Sequence, residues 1–301
     1  MNKLTTAVWE ITMGCNMRCK HCGSSCAEAL PDELNTSEAL EVCDQLKDLG
    51  LKVITLSGGE PTTRSDWHII AKRLVDNGII TSIITNGWLI DENFIHNAIT
   101  SGIRSVCLSI DGLEKTHDFI RRSGSFNKSI KALKELRKNN ISTSVITSIN
   151  KENICELEEL YQLLSDLGVN SWQLHIALPM GNFAKRPEWL IEPQDILSII
   201  DFAGKQSQQN TVKNTNFHEF GLESDSQNVM FADFGIETNN IIRKPLSMMA
   251  ILNSYLNNRD ASHRSSQKWA KDKSSILGDS FWRSSNFSTY NKYKQCFEEW
   301  L

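Results

Sequence analysis

From residue 7 to about residue 205 the chain alternates short β-rich runs with longer amphipathic ones, and this alternation restricts its possible folds more than any other feature. Strand candidates cover residues 7–12, 53–57, 82–85, 105–111, 143–149 and 172–177. Between them apolar residues fall at three-four spacing. Ala39, Val42, Cys43, Leu46 and Leu49 follow Asn35, Ile130, Leu133 and Leu136 form a second stripe, and Ile154, Leu157, Leu160, Tyr161, Leu164 and Leu167 form a third. Strands that each lead into a helix imply crossover connections, and hence an α/β fold with a parallel sheet or barrel.

The texture changes after residue 205. Residues 205–216 are polar and poorly periodic, as a linker or surface loop is. Beyond them lies one hairpin candidate, with Asp233, Phe234, Gly235 and Ile236 on one arm and Ile241 and Ile242 on the other. A boundary is therefore expected near residue 205. The formal net charge of -4 offers no general basic field for nucleic acid, and no window approaches eighteen uninterrupted apolar residues, so no membrane span is expected. The first residues run into a strand pattern without the charged and apolar regions of a signal peptide, which points to the cytoplasm. In such a setting eight cysteines more often bind metal or do redox chemistry than form disulfides.

Cys15, Cys19 and Cys22 form a Cys-x3-Cys-x2-Cys triplet directly after the first strand candidate. That is the C-terminal end of the strand, the face on which βα-barrels place their active sites. Three such thiolates can hold three irons of a four-iron cluster and leave the fourth without a protein ligand. A zinc site made with His21 is the alternative chemistry, although His21 adjoins Cys22 and no second Cys pair follows at zinc-ribbon spacing. Inert buried cysteines are the plainest alternative. Cys26 extends the run and reads as non-ligating, while Cys43 and Cys107 lie on apolar faces and read as core. Gly58, Gly59, Glu60 and Pro61 follow the second strand candidate and open onto the same face. The glycines permit close backbone approach, Glu60 can accept from an ammonium group and Pro61 stiffens the exit; alone, the same turn reads equally well as a tight loop.

The cysteine triplet after one strand and Gly-Gly-Glu-Pro after the next together resemble the radical S-adenosylmethionine (SAM) enzymes, over roughly 200 residues. The resemblance implies a partial (β/α)6, TIM-like barrel with a small irregular C-terminal extension. It implies that Cys15, Cys19 and Cys22 hold one [4Fe-4S] cluster, that SAM chelates the open iron, and that Gly58, Gly59, Glu60 and Pro61 meet the SAM amino group. Asn86, Ser109 and Asp111, at the ends of the third and fourth strands, would approach the SAM carboxylate or ribose. Arg121, in a His117-Asp118-x-x-Arg121 segment, would pair with a carboxylate. Strand-end turn chemistry is the plainer reading of the first three, and a surface arginine that of the fourth. His21 stands where the family usually has an aromatic residue near the adenine. The implied reaction is reductive cleavage of SAM to a 5′-deoxyadenosyl radical that abstracts hydrogen from a substrate, with no acid–base catalytic residue assigned.

A narrower likeness, carried by Cys22 through Cys26, Trp88, Leu113 and the stretch from Trp172 to Gly181, is to radical SAM proteins with a SPASM-type C-terminal domain. Many of these modify ribosomally made peptides, which implies a peptide or protein substrate and a low-potential electron donor such as flavodoxin or ferredoxin. The chain departs from that pattern at Pro245, where a cysteine ligand is expected, and Cys296 is the single cysteine after residue 205. Residues 1–205 therefore read as a radical SAM core and 206–301 as a degenerate SPASM-like region without auxiliary clusters. Small-molecule, cofactor or tetrapyrrole biosynthesis is the rival reading. A non-catalytic paralogue or partner subunit is the third.

Overall fold

The computed structural model describes residues 6–177, 179–208 and 233–235. Six parallel strands succeed one another in chain order: β1 (Thr6–Glu10), β2 (Val53–Ser57), β3 (Ile80–Thr85), β4 (Ser105–Ser109), β5 (Ser142–Ile149) and β6 (Ser171–Ile176). A short seventh strand, β7 (Asp233–Gly235), runs antiparallel along the outer edge of β6. The crossovers carry α1 (Thr36–Asp48), α2 (Trp67–Asp76), α3 (Glu92–Ser101), α4 (Glu114–Ile120), α5 (Ser125–Lys138) and α6 (Leu157–Asp166), and α7 (Pro193–Gln208) follows β6. The result is the expected partial barrel of parallel strands with helices outside.

Local chemistry accounts for the elements. Asn35 opens α1 with a reciprocal capping box: its side chain accepts from the Glu38 N–H at 3.1 Å, and the Glu38 carboxylate accepts from the Asn35 N–H at 3.0 Å. All five residues of β4 are buried, as a central parallel strand covered on both faces must be. From α5, Ala132, Leu133 and Leu136 pack into the core shared with Val106 and Val145, and each fully buried leucine stabilises the fold by about 2 kcal/mol.

The structure moves several expected boundaries. β1 ends at Glu10 instead of residue 12 because the Thr12 carbonyl turns to accept from Gly59 N–H at 2.8 Å. β4 ends at Ser109 instead of residue 111 because the Asp111 N–H leaves the ladder for the His117 ring nitrogen Nδ1, at 3.0 Å. α7 continues through Lys205 to Gln208, and the Asp233 arm of the expected hairpin joins the sheet. Ile241, Ile242, Pro245 and Cys296 lie outside the described residues. Among those described, no helix is long and apolar enough to cross a membrane.

Candidate active site

The loop leaving β1 carries Cys15, Cys19 and Cys22 across the C-terminal end of the sheet. It is pinned at several points by backbone. Cys15 N–H donates to the Ala27 carbonyl at 2.8 Å, Lys20 N–H to the Ile120 carbonyl at 2.9 Å, and Asn182 N–H to the Cys22 carbonyl at 2.8 Å. The Asn182 side chain also donates to the Cys19 carbonyl at 3.2 Å, so the segment after β6 grips the loop that follows β1.

The turn after β2 packs against this loop, backbone on backbone. Besides the Gly59 bond, Glu60 N–H donates to the Gly14 carbonyl at 2.8 Å. A Cβ added at Gly58 would lie 2.2 Å from the Thr12 oxygen, and one at Gly59 would lie 2.4 Å from the Gly14 oxygen. Gly58 also holds φ of +145°, a conformation that side-chain-bearing residues rarely adopt. Both glycines are thus required by the fit of the turn to the cysteine loop. Glu60 is buried, and its carboxylate accepts from Thr85 Oγ1 (2.7 Å), Asn86 N–H (2.7 Å), Thr62 Oγ1 (2.6 Å) and Thr62 N–H (3.2 Å). Burial raises its pKa while these donors oppose the rise. Glu60 therefore ties the turn to the end of β3. There Asn86 reaches back with its amide to Asn16 Oδ1 at 2.7 Å.

Asp111, fully buried, is the second centre. Its Oδ1 accepts from Ser148 N–H at 2.8 Å; its Oδ2 takes both the Arg121 Nε–H and, at 2.7 Å, His21 Nε2. Burial alone would raise the Asp111 pKa, but Arg121 and then His21 override it and hold the carboxyl well below the usual range. For Arg121 the balance is the mirror image, burial opposed and outweighed by Asp111. His117 is driven down to about 4, by burial first and Arg121 second, and so stays neutral while its Nδ1 accepts from Asp111 N–H. The far end of Arg121 brings Nη1 to 4.0 Å from the Cys19 sulfur. Ser109 is buried at the end of β4.

The cysteines differ in character. Burial raises the Cys19 thiol to about 11 and raises Cys15 as well, while a hydrogen bond from Cys26 lowers Cys22 to about 5. Met17 N–H lies 3.4 Å from the Cys15 sulfur. Among the described residues no three Cys, His, Asp or Glu side chains converge on a single-ion point, and His21 is engaged by Asp111. A four-iron cluster asks for a different arrangement, in which each thiolate takes its own iron. Three thiols on one pinned loop, with a glycine turn held against it, fit such a cluster.

The structure therefore brings the cysteine triplet, the Gly-Gly-Glu-Pro turn, Asn86, Ser109, Asp111 and Arg121 to one end of the sheet. Sequence reasoning missed the His21–Asp111 pair, the Asn16–Asn86 bond, the reach of Asn182 and the bond from Cys26 to Cys22. Only Cys26 carried a local signal, its closeness to the triplet; the others join residues 70 or more positions apart.

Comparison with known proteins gives the same picture. The chain is 29% identical over 208 residues to an AdoMet-dependent heme synthase of Methanosarcina barkeri, covering 68% of this chain and 59% of that protein. It is 29% identical over 162 residues to a mycofactocin maturase of Mycolicibacterium smegmatis, covering 53% of this chain and 41% of the relative. The chain thus spans about half the length of these curated relatives. In fold it is similar to the crystal structure of Streptococcus suis SuiB bound to S-adenosylmethionine, with a TM-score of 0.63 and 18% identity over 69% of this chain and 49% of that one. The model of the radical SAM superfamily matches residues 9–164, just over half of the chain, from the strand that precedes the cysteines to the helix after β5. The chain belongs to the radical SAM superfamily, enzymes that work with a [4Fe-4S] cluster and SAM.

Proposed function

We propose that Cys15, Cys19 and Cys22 hold the cluster through three of its irons and that SAM binds against the fourth, between the turn 58–61 and the ends of β3 and β4. When bound, cluster and SAM supply reductive cleavage of the sulfonium and hydrogen-atom abstraction from a substrate. The chain's own residues bind and orient. The turn at Gly58, Gly59, Glu60 and Pro61 faces the SAM amino group, with the Glu60 anion braced behind it by Thr62, Thr85 and Asn86 N–H. Asn86 and Ser109 flank the sugar and carboxylate. Arg121, held by Asp111, offers its remaining N–H groups to a carboxylate. Residues 1–205 make up the catalytic core and 206–301 a degenerate SPASM-like region.

The observation that carries this reading is the backbone lock of Gly59 and Glu60 onto Thr12 and Gly14, which sets the SAM turn directly beside Cys15. Anaerobic reconstitution with iron and sulfide, followed by dithionite and SAM, should yield 5′-deoxyadenosine and methionine in equal amounts. A fully loaded cluster that yields neither overturns the assignment.

For the substrate, the reach of similarity favours a tetrapyrrole-class molecule, since the heme synthase matches 68% of the chain against 53% for the maturase. The maturase supports a peptide side chain as the second reading. Deuterium carried from a labelled porphyrin carboxylate into 5′-deoxyadenosine would establish the first; transfer from a labelled peptide instead would establish the second.

A further inference from the structure

The segment carrying Cys19 is bordered by a band of cations that stand on aromatic rings instead of carboxylates. Lys20 Nζ lies 3.2 Å from the centre of the Phe119 ring, Arg186 lies 4.7 Å from Trp189, and Arg122 and Lys128 lie 4.0 and 5.6 Å from Trp88. None of the four forms an ion pair among the described residues, whereas neighbouring Arg18 pairs with Glu28. A ring face fixes a cation in place without cancelling its charge as a carboxylate does. These cations are therefore ordered without a direct carboxylate partner among the described residues.

Phe119 in α4 and Arg122 just beyond its end bring both groups of cations to the same stretch of chain. Lys20 N–H is bonded to the Ile120 carbonyl, Phe119 packs on Trp189 at 5.8 Å, and Arg122 donates to the Asn16 carbonyl at 3.2 Å. Cys19 is buried beneath it, turned towards Arg121, while Arg122 and Lys128 are exposed and Phe119 is 48% exposed. On the other flank of the loop, a recess of about 660 Å³ beside Cys15 carries Glu28, Glu33 and Asp66 with Arg64. In a protein of net charge -4, these four cations stand together on one side of the cysteine loop.

We propose that Lys20, Arg122, Lys128 and Arg186, arranged around exposed Phe119, form the docking surface for an acidic one-electron donor protein. An aromatic centre with a charged rim is the make-up of a protein interface, and the rim charge steers the partner. The proposal rests on the assignment of the cluster to Cys15, Cys19 and Cys22. It gives that cluster a place to be reduced, directly over the Cys19 segment. The donor loses one electron, the cluster gains one, and no proton or covalent bond changes hands.

The test compares two reductants on the reconstituted full chain: reduced flavodoxin, an acidic protein, and dithionite, a small chemical donor. The double variant Lys20→Glu/Arg186→Glu should slow cluster reduction by flavodoxin at low salt by about tenfold or more and flatten its salt dependence. Its dithionite-supported SAM cleavage should match that of the unmodified chain, which also shows that the variant folds. The milder Lys20→Gln/Arg186→Gln should fall between, and Lys47→Glu/Lys138→Glu, the same charge change elsewhere, should reduce normally. An unchanged flavodoxin rate in the first variant overturns the proposal. So does an unchanged rate accompanied by a raised substrate KM, which would assign the band to an anionic substrate. Absence of dithionite-supported cleavage in the unmodified chain overturns the cluster assignment and this proposal together.

Discussion

Asp111 accepts from a guanidinium, an imidazole and a backbone N–H while fully buried, so removing its charge strands Arg121 in a low-dielectric site. Asp111→Asn should destabilise the cluster-free chain by about 3–5 kcal/mol in urea denaturation, and Asp111→Asn/Arg121→Gln should recover part of the loss. A double-variant cost equal to the sum of the Asp111→Asn and Arg121→Gln costs measured singly would show that the pair is not coupled. Cys19→Ala should abolish the four-iron absorbance, whereas Cys26→Ser should keep it; persistence of the full spectrum without Cys19 would mean other ligands. Glu10 offers a pH test, because burial and then the Cys22 charge raise its carboxyl to about 7. A raised acid favours folding fully below its unfolded pKa and loses that contribution as pH rises through the folded value. Glu10→Gln should therefore match the parent near pH 4.5 and become the more stable form above pH 7, by at most about 3 kcal/mol, in denaturation curves taken across that range.

At the scale of elements, the turn after β2 is the tightest joint. Gly59→Ala would set a methyl group 2.4 Å from one backbone oxygen and 2.8 Å from another, neither of which can rotate away. We expect a loss of about 2 kcal/mol or more and poor cluster loading, read as iron content after reconstitution. The elements themselves were legible where periodicity was strong: Leu133 and Leu136 fell on the buried face of α5, and Ala39, Val42, Cys43 and Leu46 on that of α1. Strand ends were less so. Ile110 and Asp111 look like strand in sequence, yet the Asp111 N–H is taken by a side chain six positions on, which no alternation of apolar residues reports. The turn glycines were legible as places of close approach. That the first thing they approach is the backbone of the cysteine loop was not, because the contact depends on two strands lying side by side.

Across the described residues, the sheet ends on β7, whose short antiparallel pairing covers Gln173, Leu174 and His175 of β6. A chain cut after Gln208 bares that edge and should self-associate with rising concentration, measured by sedimentation velocity. The gathering of cysteines, turn and strand ends at one face was legible because every parallel strand delivers its C-terminal end to the same side. The contact of Asn182 with the carbonyls of Cys19 and Cys22 was not, since it joins positions 163 and 160 residues apart. That contact sets an order on synthesis. The cysteine loop emerges early from the ribosome but lacks its last clasp until the segment beyond β6 has followed it out. Iron–sulfur insertion is therefore expected late in the life of the nascent chain: stalled chains ending before residue 171 should take up iron poorly where those extending well past residue 208 take it up fully.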